Sequence, residues 1–258
     1  MTLFVGTSGY QYRHWLVRFY PRAPRVKDEL DFFARHFQTV ELNNPFYRLP
    51  EGDTFADWAA RTPDDFVFAV KASRYLTHIK RLADPNEPVD RLIERASRLG
   101  GKLGPILLQL PPTLRRDVGR LRATLGAFPS KIRLTVEFRH DSWFTDEVRA
   151  TLNECGAALC LVDRGSKLVT PRWRTADWGY MRFHWGRSAP ESCYGASALE
   201  ARARLIADLW SKDEDVYVYF NNDPYACALH DARVFARLAS RVGLRATRVP
   251  GASQVRVG

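Results

Sequence analysis

The chain has no apolar run approaching the roughly 20 residues that a membrane-spanning helix needs, which disfavours a membrane protein and any membrane partner. It also lacks a lysine/arginine block, zinc-finger spacing and a helix-turn-helix pattern, so none of the common nucleic-acid modules is written into it. The four cysteines, Cys155, Cys160, Cys193 and Cys227, lie apart without C-x-x-C spacing. Two of them sit among apolar residues, where cysteine behaves as a small hydrophobe, and reduced structural thiols are expected. Met1-Thr2-Leu3-Phe4 leads into strand-like sequence without a signal-peptide pattern, which makes a cytoplasmic protein the expectation.

What is there is ordinary for a soluble globular protein, with 45% apolar and 26% charged residues. The formal charge of +10 favours polyanions such as nucleic acid or phosphorylated ligands, although arginine-rich composition alone gives the same number. Short β-type runs alternate with longer helical ones from end to end. The predicted strands are 3–6, 39–43, 66–72, 105–110, 134–138, 158–162, 179–184 and 216–221. Helices are predicted over 27–37, 54–61, 89–99, 118–128, 146–155, 198–211 and 231–242, and Thr145 can cap the fifth of these. The segment 164–178 contains Gly165 and Pro171 and little amphipathic order, so the sixth helix is expected to be degenerate.

Near-continuous apolar strands alternating with helices imply a parallel sheet covered on its outer face. Eight such units in 258 residues fit a single α/β domain, a (β/α)8 TIM-type barrel over 1–248, with 249–258 as a C-terminal tail. The competing open sheet would want G-x-G-x-x-G after the first strand, where Gly6-Thr7-Ser8-Gly9-Tyr10 stands instead.

Barrels assemble their sites at the carboxyl ends of the strands. There the chain places Glu41 and Asn43, Lys71, Gln109, Glu137 and Arg139, Asp163, Arg182 and His184, and Asn221 and Asn222. Alternation puts Glu41 with Asn43, Glu137 with Arg139, and Arg182 with His184 on shared faces. Three acids, Glu41, Glu137 and Asp163, against three bases, Lys71, Arg139 and Arg182, form a set that balances its own charge. The bland alternative is an internal ion-pair network, with some of these groups facing outward. Tyr10, Tyr12, Trp15, Phe46, Tyr47 and Trp143 follow strands and can rim the mouth, with loop packing favoured for Phe46 and Trp15. His78, His140 and His230 are expected to anchor or cap loops.

Several blocks carry a resemblance: Gly6-Thr7-Ser8-Gly9-Tyr10, Phe19-Tyr20-Pro21, Thr39-Val40-Glu41-Leu42-Asn43, Phe46-Tyr47-Arg48-Leu49-Pro50, Phe68-Ala69-Val70-Lys71-Ala72, Gln109-Leu110-Pro111-Pro112, Glu137-Phe138-Arg139-His140 and Tyr219-Phe220-Asn221-Asn222. In these the sequence resembles the YecE-like family, a domain of unknown function (number seventy-two), over Leu3 to about Leu244. The resemblance implies a TIM-barrel-like fold and no particular activity. Two departures stand out against the family pattern: Trp185 separates His184 from Gly186, and Pro224-Tyr225 follow Asn221-Asn222-Asp223.

The leading expectation is an enzyme, a hydrolase or lyase, acting on an anionic small molecule or nucleotide by acid/base chemistry. Lys71, Arg139 and Arg182 would hold the anion, with Gln109, Asn43, Asn221, Asn222, Tyr10 and Tyr12 completing the ligand contacts. Glu137 or Glu41 would be general base and His184 proton donor, with Asp163 in the same catalytic set. The first alternative is a divalent-metal cofactor on Glu41, Glu137, Asp163 and His184, activating water for phosphoester hydrolysis; against it, the first strand lacks an H-x-H pair and neighbouring cations would repel a metal. Lys71 as a Schiff-base lysine is a further route. The alternative from another class is a non-catalytic nucleic-acid-binding module.

Overall fold

The computed structural model describes residues 1–21 and 28–257. Eight parallel strands close on themselves: β1 (Leu3–Ser8), β2 (Thr39–Leu42), β3 (Val67–Lys71), β4 (Leu103–Gln109), β5 (Leu134–Glu137), β6 (Ala158–Arg164), then β8 (Gly179–Phe183) and β9 (Val216–Phe220) after a two-residue strand, β7 (Lys167–Leu168). Neighbours pair in sequence order, β9 pairs β1, and β5 pairs β6, which completes the barrel. Around it lie α1 (Asp28–His36), the short α2 (Asn44–Tyr47), α3 (Gly52–Ala60), α4 (Asn86–Ala96), α5 (Val118–Ala127), α6 (Asp146–Glu154), α7 (Ala196–Leu209) and α8 (Cys227–Arg241). Lys27, the expected first residue of the first helix, lies outside the described residues.

Strand alternation sorts the core into two bodies. Leu3, Val5, Val40, Val70, Ile106, Val136, Met181 and Val218 face the helices. Ala69, Leu107, Cys160, Val162, Tyr180, Tyr217 and Tyr219 fill the lumen, and Phe4 stacks on Tyr217 at 4.7 Å. Burial on both faces is why these strands read as apolar runs rather than alternating ones. At Gly6 the wall is so close that an added Cβ would fall 2.3 Å from the Thr39 carbonyl oxygen.

No helix follows β6. Gly165 and Ser166, at φ 61° each, make a two-residue turn of the left-handed kind that hairpins favour, and β7 runs back antiparallel along β6. β5 and β6 share only two register pairs. Beyond them, threonine side chains satisfy the backbone of β6: Thr170 Oγ1 accepts from the Val162 amide at 3.2 Å and Thr175 Oγ1 from the Leu159 amide at 2.8 Å. Side chains thus replace the ladder and a helix at this seam. After α8 the chain returns to the bottom of β1, where the Thr247 amide donates to the Leu3 carbonyl at 2.8 Å. The segment 249–257 carries one 3-10 turn, Ala252–Gln254, and buries Val255.

The expectation of four reduced thiols is corrected. Cys193, in the loop after β8, is bonded to Cys227, the first residue of α8, across 34 positions. Packing of α8 against that loop brings the two Cα atoms to 4.9 Å, inside the range a disulfide spans. Sequence spacing carries no such distance. Cys155 and Cys160 are free. Among the described residues no helix is long and apolar enough to cross a membrane.

Candidate functional site

At the carboxyl ends of the strands a cleft of about 590 Å³ opens. Its floor is a buried ion network. Arg182, from β8, donates from Nη1 to Glu137 Oε2 at 2.5 Å and from Nη2 to Glu41 Oε1 at 2.8 Å, so one guanidinium ties β8 to β2 and β5. Glu41 also accepts from the Ser8 hydroxyl at 2.6 Å and the Tyr180 hydroxyl at 2.6 Å. Glu137 Oε1 accepts from Arg139 Nε at 2.9 Å and faces Arg164 Nη2 at 3.6 Å.

These partners decide protonation. Burial by itself would push Glu137 up, but Arg182, His184 and Arg139 outweigh it and hold the carboxyl well below the usual range. Arg182 is buried too, and Glu41 with Glu137 keeps it charged. His184 lies 3.2 Å from Glu137 Oε1 through Nε2 and 3.3 Å from Asn221 Nδ2 through Nδ1. An Asn amide nitrogen only donates, so Nδ1 accepts and Nε2–H donates, which is a neutral imidazole. Its pKa is lowered to match, chiefly by burial against the opposing pull of Glu137.

Lys71 is the exception. It ends β3 on the lumen side, 7% exposed, and its Nζ sits 4.0 Å from the centroid of the Phe46 ring. Among the described residues it has no ion-pair partner. Burial first and Arg182 second bring its pKa down to about 8, against Glu41 and Glu137. His78, in the turn after β3, also meets Phe46, with ring centroids 5.0 Å apart. Burial, then Lys71 and Arg139, bring its pKa down to about 4. The Thr77 hydroxyl donates to the Ser73 carbonyl, so the His78 Nδ1 at 2.9 Å donates to Thr77 Oγ1 and leaves Nε2 as acceptor.

The structure therefore brings Glu41, Glu137, His184, Lys71, Arg139, Arg182, Gln109, Asn43, Asn221, Tyr10 and Tyr12 to one end of the barrel. Within the cleft, Asn43 Oδ1 has no hydrogen-bond partner among the described residues. Two expected members belong elsewhere. Asp163 has the outward parity of β6 and pairs with Arg202 on α7 at 2.7 Å, so it holds a helix to the barrel. Asn222 likewise points outward, donating to Asp231 Oδ2 on α8 at 2.7 Å and to the Ser192 carbonyl at 2.9 Å.

Arg164, the inward neighbour of Asp163, joins the network instead, and the parity of Cys160, Val162 and Arg164 was the signal for it. The expected balance of three acids and three bases becomes Lys71, Arg139, Arg164 and Arg182 against Glu41 and Glu137. Loss of Asp163 also breaks the suggested metal set. The remaining carboxylates are occupied by cations, and no three His, Cys, Asp or Glu side chains gather as metal donors among the described residues.

Aromatic placement is mixed. Trp15 is fully buried, as expected of a packing residue, and Trp143 is buried rather than at the rim, donating to the Leu114 carbonyl at 2.7 Å. Phe46, expected to pack loops, instead lines the cleft under Lys71, while Tyr47 is 78% exposed at its edge. His140 anchors its loop by accepting from the Ser142 amide at 3.1 Å.

A family model described as "Protein of unknown function DUF72" matches residues 4–254. The chain belongs to the DUF72 family. YecE of Escherichia coli is 34% identical over 126 residues, covering 48% of this chain and 46% of YecE, so that match spans about half of the relative. YunF of Bacillus subtilis is 24% identical over 86% of this chain and 89% of its own. Among solved structures, a DUF72 family protein from Thermotoga maritima superposes with a TM-score of 0.81 at 28% identity, covering 93% of this chain and all of that one. Another, from Enterococcus faecalis, gives 0.76 at 19% identity over 92% and 95%. The DUF72 fold is thus a closed TIM-type barrel in which this chain's polar strand ends converge.

Proposed function

We propose that this DUF72 protein is an enzyme that binds a phosphate- or nucleotide-containing small molecule in the cleft and acts on it by acid/base chemistry. The observation that carries this reading is the charge surplus: four inward cations over two saturated carboxylates, with Lys71 lacking an ion-pair partner among the described residues. A desolvated positive site of this kind favours an anion with several acceptor oxygens. Arg139 and Arg74 line the same cleft and are the guanidinium groups offered to such a ligand, with Arg182 as a fixed charge behind them.

The proton-transfer roles move from Glu137 and Glu41 to groups at the cleft surface. Both carboxylates are fully buried and committed to cations, so neither is a serviceable base. His78, neutral at pH 7 with Nε2 as acceptor, takes that role, and its conjugate acid returns the proton. His184 positions Glu137 beneath them. Calorimetric titration with inorganic phosphate and a nucleoside monophosphate tests the reading. Binding that weakens with salt and is lost in Arg139→Met supports it, and no saturable binding of either probe refutes it.

The rival, a non-catalytic binder of single-stranded nucleic acid, draws support from the exposed Tyr47 beside a basic cleft, since aromatic faces stack on bases. It is favoured over the enzyme reading if oligonucleotide affinity exceeds that for mononucleotides and is unchanged by Lys71→Met.

A further inference from the structure

We propose that Lys71 is a nucleophilic amine that condenses with a phosphorylated aldehyde or ketone to form an imine. The inference rests on the reading of the cleft as an anion site and adds the bond-forming atom and the substrate class. The amine lone pair attacks the carbonyl carbon. The carbonyl π pair moves to oxygen, which takes a proton, while nitrogen gives one up. The hydroxyl then leaves as water after protonation, and a carbon–nitrogen double bond remains. The protonated imine so formed can accept the electron pair of an adjacent C–H or C–C bond, which is the chemistry of a lyase or isomerase on a carbonyl compound.

Three observations single out Lys71. First, its surroundings differ from those of other cations in the barrel. Arg139, Arg164 and Arg182 each face a carboxylate, and Lys102, on the outside, donates to the Ala59 and Thr62 carbonyls at 2.6 Å each. Among the described residues the Lys71 nitrogen has the face of Phe46 and no ion-pair or hydrogen-bond partner. A ring face stabilises a cation less than a buried carboxylate does and leaves the nitrogen unclaimed by hydrogen bonds. Second, the position is enclosed yet opens on the cleft, so a small carbonyl can reach Nζ while bulk water is limited. Third, the neighbours supply what the sequence of steps needs: Arg139 and Arg74 for the phosphate, and His78 for the proton released by nitrogen. With the pKa near 8, a fraction of the amine is unprotonated at neutral pH, unlike an ordinary lysine near 10.4.

Pyridoxal 5′-phosphate is the probe, because it is both an aldehyde and a phosphate monoester. The full chain is incubated with it, reduced with borohydride, and digested for peptide mapping by mass spectrometry, beside pyridoxal lacking the phosphate and beside Lys71→Met and Lys71→Arg. The expected result is one dominant adduct on Lys71 that rises with pH through about 8 and is suppressed by inorganic phosphate. It should be favoured over pyridoxal by roughly tenfold or more, the value of a charge-assisted hydrogen bond. It should vanish in both variants, whose unchanged thermal transitions confirm folding. If the phosphate compound binds and competes with phosphate but labels other lysines and not Lys71, the imine inference falls and the anion site stands. If Lys71 is labelled equally by both aldehydes with no effect of phosphate, the amine is reactive and the anion reading falls. Scattered surface labelling without competition overturns both.

Discussion

Arg182 and Glu137 lie 2.5 Å apart, both buried, and the second arm of the same guanidinium reaches Glu41 at 2.8 Å. Removing Arg182 leaves Glu41 with only hydroxyl donors and Glu137 with Arg139 and His184, so buried charge is left under-compensated. Arg182→Met is expected to cost about 3–5 kcal/mol, whereas replacing the two carboxylates by glutamines in the same variant should recover part of it. Urea denaturation of the single and triple variants checks the sign of the coupling. Equal losses in both would show that the charges are not coupled.

Tyr180 donates to Glu41 Oε2 at 2.6 Å inside the lumen. Tyr180→Phe keeps the packing and deletes only that donor. A loss of about 1.5–3 kcal/mol is expected, because the acceptor is a charge that cannot reach water. A thermal transition unchanged by the substitution would contradict the account.

The wall of the barrel makes a separate prediction at Gly6, whose missing Cβ leaves room for the Thr39 carbonyl. Gly6→Ala must move β1 away from β2, and a destabilisation of about 1–3 kcal/mol follows from overpacking. Since Ser8 and Glu41 sit on these two strands, phosphate affinity should fall with stability here.

Asp231 gives the pH dependence. Burial pushes its carboxyl up to about 7, although the Tyr194 amide and Asn222 donate to it. A carboxyl whose folded value is raised contributes stability that is complete below its unfolded value near 3.9 and is lost as pH rises through about 7. Asp231→Asn does not titrate, so its thermal transition should gain on the wild type between pH 5 and 8. A constant difference across that window would refute the linkage.

The strands were legible because each is buried on both faces, and their polar ends were legible because charge is rare in such a place. Strand parity separates lumen residues from helix-facing ones. On β5 and β8 it pairs Glu137 with Arg139 and Arg182 with His184, and those shared faces line the lumen together with Glu41 of β2, while Phe138 between them stacks outside on Trp143 at 4.8 Å. On β6 the strand end is Asp163, but Cys160 and Val162 set the inward register, which passes to Arg164 and turns Asp163 toward α7. His78 was hidden for a different reason. It comes from a turn beyond β3 and meets the cleft against Phe46, whose ring also lies under Lys71, a tertiary contact with no periodic signature. The Cys193–Cys227 bond is of the same kind.

The lumen below Arg182 is packed with Tyr180, Tyr217, Tyr219 and Phe4, so among the described residues it offers no passage from one end of the barrel to the other. A molecule that enters the mouth of the barrel therefore leaves on the same side. A polymer could not be threaded through such a lumen. The guanidinium that fastens three strands together is therefore also the backstop that fixes how deep any ligand can go.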